Sequence, residues 1–161
     1  MSIKIKKMET DDEIRGKAFV HWQSWQEAYP GMVRQEYLDS LSLEKCEQIA
    51  FAWPDQMFVA KDGDRVIGFV GYGHRDGDPA EVGEVFALYV LKEYYGKKVG
   101  RLLMNAALEQ LNNSYTEICL WTLKENRRAI RFYQKCGFIP DGKEKENKNI
   151  EATEIRMILA E

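Results

Sequence analysis

The sequence predicts an α/β fold in which a mixed central β-sheet of about six to seven strands is flanked by helices on both faces. Three observations carry this. Short apolar runs rich in β-branched and aromatic residues, chiefly residues 82–90 and 118–122, read as buried strands. Segments with apolar residues at helical spacing alternate with them, the clearest being Val99, Leu102, Leu103, Ala106, Ala107 and Leu111. The resulting order is β, α, α, β, β, β, α, β, α, β, β. It combines hairpins with crossover helices, the pattern of a sheet covered on both sides.

Composition narrows the function classes. The 161 residues suffice for one domain, 1–161, with a sizeable core. Hydrophobic residues make up 45% and charged residues 30%, as in ordinary globular proteins, and the net charge of −3 argues against a nucleic-acid partner. Cys46, Cys119 and Cys136 are odd in number and lack metal-ligand spacing, so they read as reduced thiols in a cytoplasmic protein. With His21 and His74 alone available, a histidine-rich centre is excluded and no metal is expected. No apolar run has membrane-spanning length, and Lys4, Lys6 and Lys7 interrupt any signal-peptide core, so no membrane association is expected.

The elements follow in order. Ile3-Lys4-Ile5-Lys6 alternates as a half-exposed strand does. Thr10 and Glu13 have capping-box spacing, and Ile14, Ala18, Trp22, Trp25 and Tyr29 then mark one helical face, ended by Pro30-Gly31. The aromatic stripe is either core or, at Trp25 and Tyr29, the wall of an acceptor pocket. A second helical region, residues 35–51, is broken near Ser42. Residues 57–61 and 65–72 are strands joined by the turn signal Asp62-Gly63-Asp64. The polar loop 73–79 is surface, and its acids either are solvated or draw a cationic amine. After the central strand and its helix come the strand 118–122 and a helix capped by Asn126 and Gly137. Phe138-Ile139 starts a strand, a charged turn is expected from Lys143 to Lys148, and residues 155–159 close the sheet.

One loop stands out chemically. Residues 90–104 read as a strand end, a glycine-containing loop and the first turns of a helix. A helix start presents unpaired N–H groups and the positive end of the macrodipole. Gly96 and Gly100 allow close backbone approach, and Lys97, Lys98 and Arg101 add positive charge. The stretch is either a plain strand-to-helix turn with solvated lysines or a pyrophosphate cradle. Neither Walker A nor the G-x-G-x-x-G dinucleotide fingerprint is present.

The loop resembles the acetyl-CoA loop Q/R-x-x-G-x-G/A of the GNAT (GCN5-related N-acetyltransferase) superfamily, with Tyr95 in the Gln/Arg place, Lys98 in the first Gly place and Gly100 in the last. Two of those three places depart from the pattern. Residues 126–138 resemble the second hallmark, N-x-x-A-x-x-F/L-Y-x-x-x-G-F, at every specified place through Asn126, Ala129, Phe132, Tyr133, Gly137 and Phe138. The two motifs, in order and 26 residues apart, identify the chain as similar to that superfamily over nearly its whole length. By themselves, Asn126 is an N-cap and Tyr133 a core tyrosine.

The resemblance implies a GNAT-type mixed sheet and transfer of acetyl from acetyl-CoA to a primary amine, of a small molecule or a peptide, by direct attack in a ternary complex. It implies that Tyr95, Gly96, Lys97, Lys98, Val99, Gly100 and Arg101 hold the pyrophosphate. The main chain of Leu88, Tyr89 and Val90 would pair with the pantetheine arm, and a backbone N–H near Leu88 would face the oxyanion. Asn126 and Ala129 would lie beside that arm. Tyr133 would point its hydroxyl at the sulfur as general acid. Glu84 is the first candidate for the base and for contact with the acceptor, with Glu81 and His74 behind it; Glu84 is otherwise a strand-end surface residue. Its expected face is shared with Phe86 and Leu88. The departures at Tyr95 and Lys98 leave open an idle acyl-CoA sensor. Homodimers are common in the superfamily.

Overall fold

The computed structural model describes residues 2–160. One seven-stranded sheet has the spatial order β1-β2-β3-β4-β5-β7-β6. Its strands are β1 (Ile3–Lys7), β2 (Met57–Asp62), β3 (Arg65–Gly73), β4 (Val82–Val90), β5 (Glu117–Leu123), β6 (Phe138–Asn147) and β7 (Ala152–Leu159). All neighbours run antiparallel except β4 and β5. The helices are α1 (Asp11–Ala28), α2 (Gln35–Ser40), α3 (Leu43–Ala52), α4 (Val99–Asn112) and α5 (Arg127–Lys135). None is long and apolar enough to cross a membrane.

The local signals explain most boundaries. Thr10 Oγ1 accepts the Glu13 N–H at 3.2 Å, while Glu13 Oε1 accepts the Thr10 N–H at 3.2 Å, closing the capping box. Ser42 splits the second helical region because its Oγ accepts the Lys45 N–H at 3.1 Å and so starts α3 anew. Glu13 is buried. Burial opposes its ionisation, but hydrogen bonds from Lys6, from the N–H groups of Glu9 and Thr10, and from Lys61 hold its carboxyl down at about 2.

Alternation along β3 sends successive side chains to opposite layers. Gly68 backs onto Leu103 of α4, and Phe69 lies 6.4 Å from the His21 ring of α1. The main core lies between these layers, around Val59, Ile67, Val70, Leu103, Met104 and Leu120. A smaller cluster of Tyr29, Val33, Leu38, Leu123 and Ile150 closes one end.

Two expectations are corrected. The segment from Lys143 to Lys148 is not a turn: Glu144–Asn147 pair with Ile155–Ala152 at the outer strand β6, and the turn lies at 148–151. An edge strand of Lys, Glu and Asn has no apolar alternation to betray it, and its charges protect it from pairing with another chain. Glu84 and Leu88 also do not share a face. Ala87 pairs with Gly71 and Val85 with the adjacent Tyr72, so Phe86 is an extra residue. That bulge inverts the alternation between Glu84 and Leu88.

Candidate active site

The parallel strands β4 and β5 pair from Val82↔Glu117 to Val85↔Leu120 and then part. From Ala87 to Val90 the β4 main chain keeps β3 on one side and, among the described residues, has no strand on the other. A groove of about 1140 Å³ opens there, lined by Phe86–Val90, by Trp121–Leu123 of β5, and by parts of α1, α4 and α5. The unpaired edge of β4 at Leu88, Tyr89 and Val90 can offer strand-type donors and acceptors to an extended ligand.

One end of the groove is the start of α4. A short 3₁₀ turn, Lys92–Tyr94, leads from β4 to Gly96 at φ +77° and Lys98 at φ +66°. Lys98 therefore takes the left-handed conformation that glycine adopts freely, at a cost of about 1 kcal/mol. It gives α4 no side-chain cap. The first backbone bond of the helix runs from the Leu102 N–H to the Lys98 carbonyl, 3.1 Å, which leaves the N–H groups of Val99, Gly100 and Arg101 without helical acceptors. A Cβ on Gly100 would lie 3.2 Å from Phe132 Cζ, so glycine keeps α4 and α5 close there. Unpaired N–H groups, a positive helix end and no intruding side chain fit a pyrophosphate. Lys98 does not need to be glycine for that fit.

Lys98, Arg101, Arg128, Arg131 and Lys135 line this end. Arg101 Nη1 donates to the Lys135 carbonyl at 2.9 Å and so ties α4 to the end of α5. The Arg128 guanidinium lies 3.6 Å from the Tyr95 ring centroid, a cation–π contact that fixes the loop. Lys97 does not line the groove; its ammonium lies over the Tyr94 ring at 5.6 Å.

Further along, α5 starts at Asn126, whose Oδ1 accepts the Ala129 N–H at 3.2 Å. Asn126, Ala129, Phe132, Tyr133 and Cys136 all line the groove. The Tyr133 ring packs 5.5 Å from Phe132 and 6.3 Å from Phe138. Burial raises the Tyr133 hydroxyl pKa well above the ordinary phenol value, and Tyr89 raises it further. The group is therefore protonated across the physiological range.

The opposite end is aromatic. Trp25 and Tyr29 line it, with ring centroids 4.7 Å apart. The Tyr29 and Tyr89 hydroxyls share a hydrogen bond of 2.9 Å. Glu84 does not reach the groove lining. It is buried, and both of its oxygens bind Arg75, at 2.9 Å to Nε and 2.6 Å to Nη2. Nor do Glu81 or His74 line the groove. His74 Nδ1 lies 2.8 Å from the Val82 carbonyl, and its ring stacks on Tyr115.

A family model described as the Acetyltransferase (GNAT) family matches residues 19–138. The chain belongs to the GNAT family. The match spans the second half of α1, the splayed strands, the α4 loop and α5, so it covers most of the groove's walls. YuaI of Bacillus subtilis, an uncharacterized N-acetyltransferase, is 27% identical over 154 residues, covering 91% of this chain and 86% of its own. Spermidine N(1)-acetyltransferase of Thermoplasma acidophilum is 29% identical over 148 residues, covering 86% and 89%. The crystal structure of PaiA N-acetyltransferase from Thermoplasma acidophilum in complex with coenzyme A shares the fold. Its TM-score is 0.76 at 23% identity, with 97% of this chain and 98% of that one covered. The chain is thus an acyltransferase of a family that uses acetyl-CoA.

Sequence reasoning missed several lining residues. Arg128, Arg131 and Lys135 lie within the second GNAT motif but at its unspecified places. Their spacing of three and four along α5 puts them on one helical side, a signal that was available. Trp121 and Glu154 carried no signal, because they reach the groove only through the divergence of β5 from β4.

Proposed function

We propose that this chain transfers the acetyl group of acetyl-CoA to a primary amine, of a small molecule or a peptide, by direct attack within a ternary complex. The observation that carries this reading is a single groove joining three features. These are the uncapped α4 N-terminus, the unpaired β4 edge, and a protonated phenol on α5.

Acetyl-CoA supplies the activated thioester. The chain's own groups hold it and protonate the departing thiolate. The N–H groups at the start of α4, with Lys98 and Arg101, hold the pyrophosphate, and Tyr95, braced by Arg128, keeps the loop in place. Leu88, Tyr89 and Val90 hold the pantetheine arm as a neighbouring strand would. A β4 main-chain N–H near Leu88 faces the acetyl oxygen. Asn126 and Ala129 flank the arm at the start of α5. The Tyr133 O–H donates to the departing sulfur.

Trp25, Tyr29 and Tyr89 shape the acceptor side. An alkylammonium with a pKa of about 10 is neutral in roughly one molecule per thousand at neutral pH, so the acceptor must lose a proton to solvent before it attacks. Glu84, already engaged by Arg75, is given no step in this reading.

The test is thiol release from acetyl-CoA by the purified chain over a panel of primary amines, with coenzyme affinity measured alongside. Amine-dependent release and micromolar coenzyme binding are expected. Tight coenzyme binding with no release over a broad panel would overturn the transferase reading.

A further inference from the structure

The groove has two chemically different ends. Five of its lining cations come from the start of α4 and from α5 and the sixth is Lys92, whereas Glu154 of β7 lines it, as do Trp25 of α1 and Tyr29 just after it. The other lining carboxylate, Glu27, already accepts the Lys92 N–H at 3.1 Å. Glu154 accepts one hydrogen bond, from Asn147 Nδ2 at 3.1 Å. No Lys, Arg or His forms an ion pair with it among the described residues. Its neighbour in register on β6 is Lys145, which lies over the Trp121 ring at 4.1 Å instead, and its neighbour on β5 is the apolar Leu123.

The surroundings are aromatic. Trp25, Tyr29 and Tyr89 have ring centroids 4.7 to 6.4 Å apart. Burial is the chief cause that raises the Tyr29 and Tyr89 hydroxyl pKa values. The negative charge of Glu154 adds to it, so the carboxylate is within electrostatic reach of both. A carboxylate without an ion-pair partner, in the same groove as these rings and in register with Leu123 of the Tyr29 cluster, has the chemistry of an organic-cation site.

We propose that Glu154, oriented by Asn147, receives the ammonium group of the acceptor, and that the acceptor is an aliphatic amine that arrives as a cation. The proposal rests on the acetyl-transfer reading. It assigns the acceptor's ammonium a partner that neither sequence motif specifies. Amines flanked by their own carboxylates are repelled by Glu154, and arylamines, neutral at physiological pH, gain nothing from it.

The experiment uses the full chain saturated with coenzyme A. A linear alkylamine and the alcohol of equal length are titrated calorimetrically into wild type, Glu154→Gln and Glu154→Asp. Wild type is expected to prefer the amine by about tenfold or more, the value of one charge-assisted hydrogen bond. Glu154→Gln should abolish that preference while coenzyme and alcohol affinities stay unchanged, and Glu154→Asp should retain part of it. Equal wild-type affinity for both ligands, or a preference that survives Glu154→Gln, overturns the proposal. Thiol release with the same amine is followed in parallel to separate the two readings. Glu154-dependent amine binding without turnover of any amine of the panel contradicts acetyl transfer and leaves the cation site standing. Turnover whose acceptor KM ignores Glu154 leaves acetyl transfer standing and removes the cation site.

Discussion

Replacing Tyr133 with phenylalanine removes one oxygen from the groove and little else. The ring is packed by Phe132 and Phe138, with centroids 5.5 and 6.3 Å away, and phenylalanine preserves those contacts. The hydroxyl makes no hydrogen bond to the protein among the described residues, so no partner is orphaned. Stability should change by less than about 1 kcal/mol. Catalysis should change far more. Burial keeps the phenol protonated well beyond neutral pH, and a positioned general acid contributes roughly 10²- to 10⁴-fold. That range corresponds to about 3–5 kcal/mol of barrier. The assay is kcat from thiol release with both substrates saturating, alongside coenzyme affinity by calorimetry. The expected result is a kcat lower by about a hundredfold or more, with coenzyme Kd changed less than about threefold. An unaltered kcat removes Tyr133 from the mechanism. A weakened Kd with proportionate loss of kcat/KM and no loss of kcat would make it a binding residue instead.

Three other perturbations test other parts of the account. Gly100→Val brings a side chain against Phe132, where a Cβ alone lies 3.2 Å from Cζ; coenzyme affinity should fall by about tenfold or more, with stability lower by about 1–3 kcal/mol, read by calorimetry and thermal melting. Glu84→Gln breaks the Arg75 pair and should cost about 1–3 kcal/mol in denaturant melts, yet leave the shape of the kcat–pH profile unchanged; loss of the acid limb would return the base to Glu84. Glu13→Gln removes a carboxyl lowered from 4.5 to about 2, worth at most about 3 kcal/mol. Its folded-state pKa is depressed, so its contribution is complete above pH 4.5 and disappears as the pH falls toward 2. Wild type and variant should therefore converge in stability in acid, and a difference that persists at pH 2 would contradict the assignment.

The features legible in the sequence are those decided locally. Thr10 and Glu13 announced the start of α1, Asn126 that of α5, and Asp62-Gly63 the β2–β3 turn, because each is settled by neighbours in the chain. The strand-to-helix turn before α4 was legible for the same reason, and Lys98 there takes a left-handed backbone without being glycine. Features set by the sheet were hidden. The bulge at Phe86 depends on the register with β3, and it moved Glu84 off the face that simple alternation assigned. Residues 143–147 of β6 lack a buried face, so nothing in their pattern distinguishes strand from turn. Glu154 precedes the apolar run that marked β7, and it enters the groove only because β4 and β5 part beyond Val85 and Leu120.

Everything proposed for catalysis depends on one ligand lying along the open edge of β4, from the α4 loop to Tyr133. A crystal structure of the chain with coenzyme A bound tests this most directly. The account predicts the diphosphate on the N–H groups of residues 96–101, the pantetheine amides paired with the main chain of residues 88–90, and the sulfur within hydrogen-bonding distance of Tyr133 Oη. A coenzyme bound outside the splay, or one whose sulfur turns away from Tyr133, would contradict it.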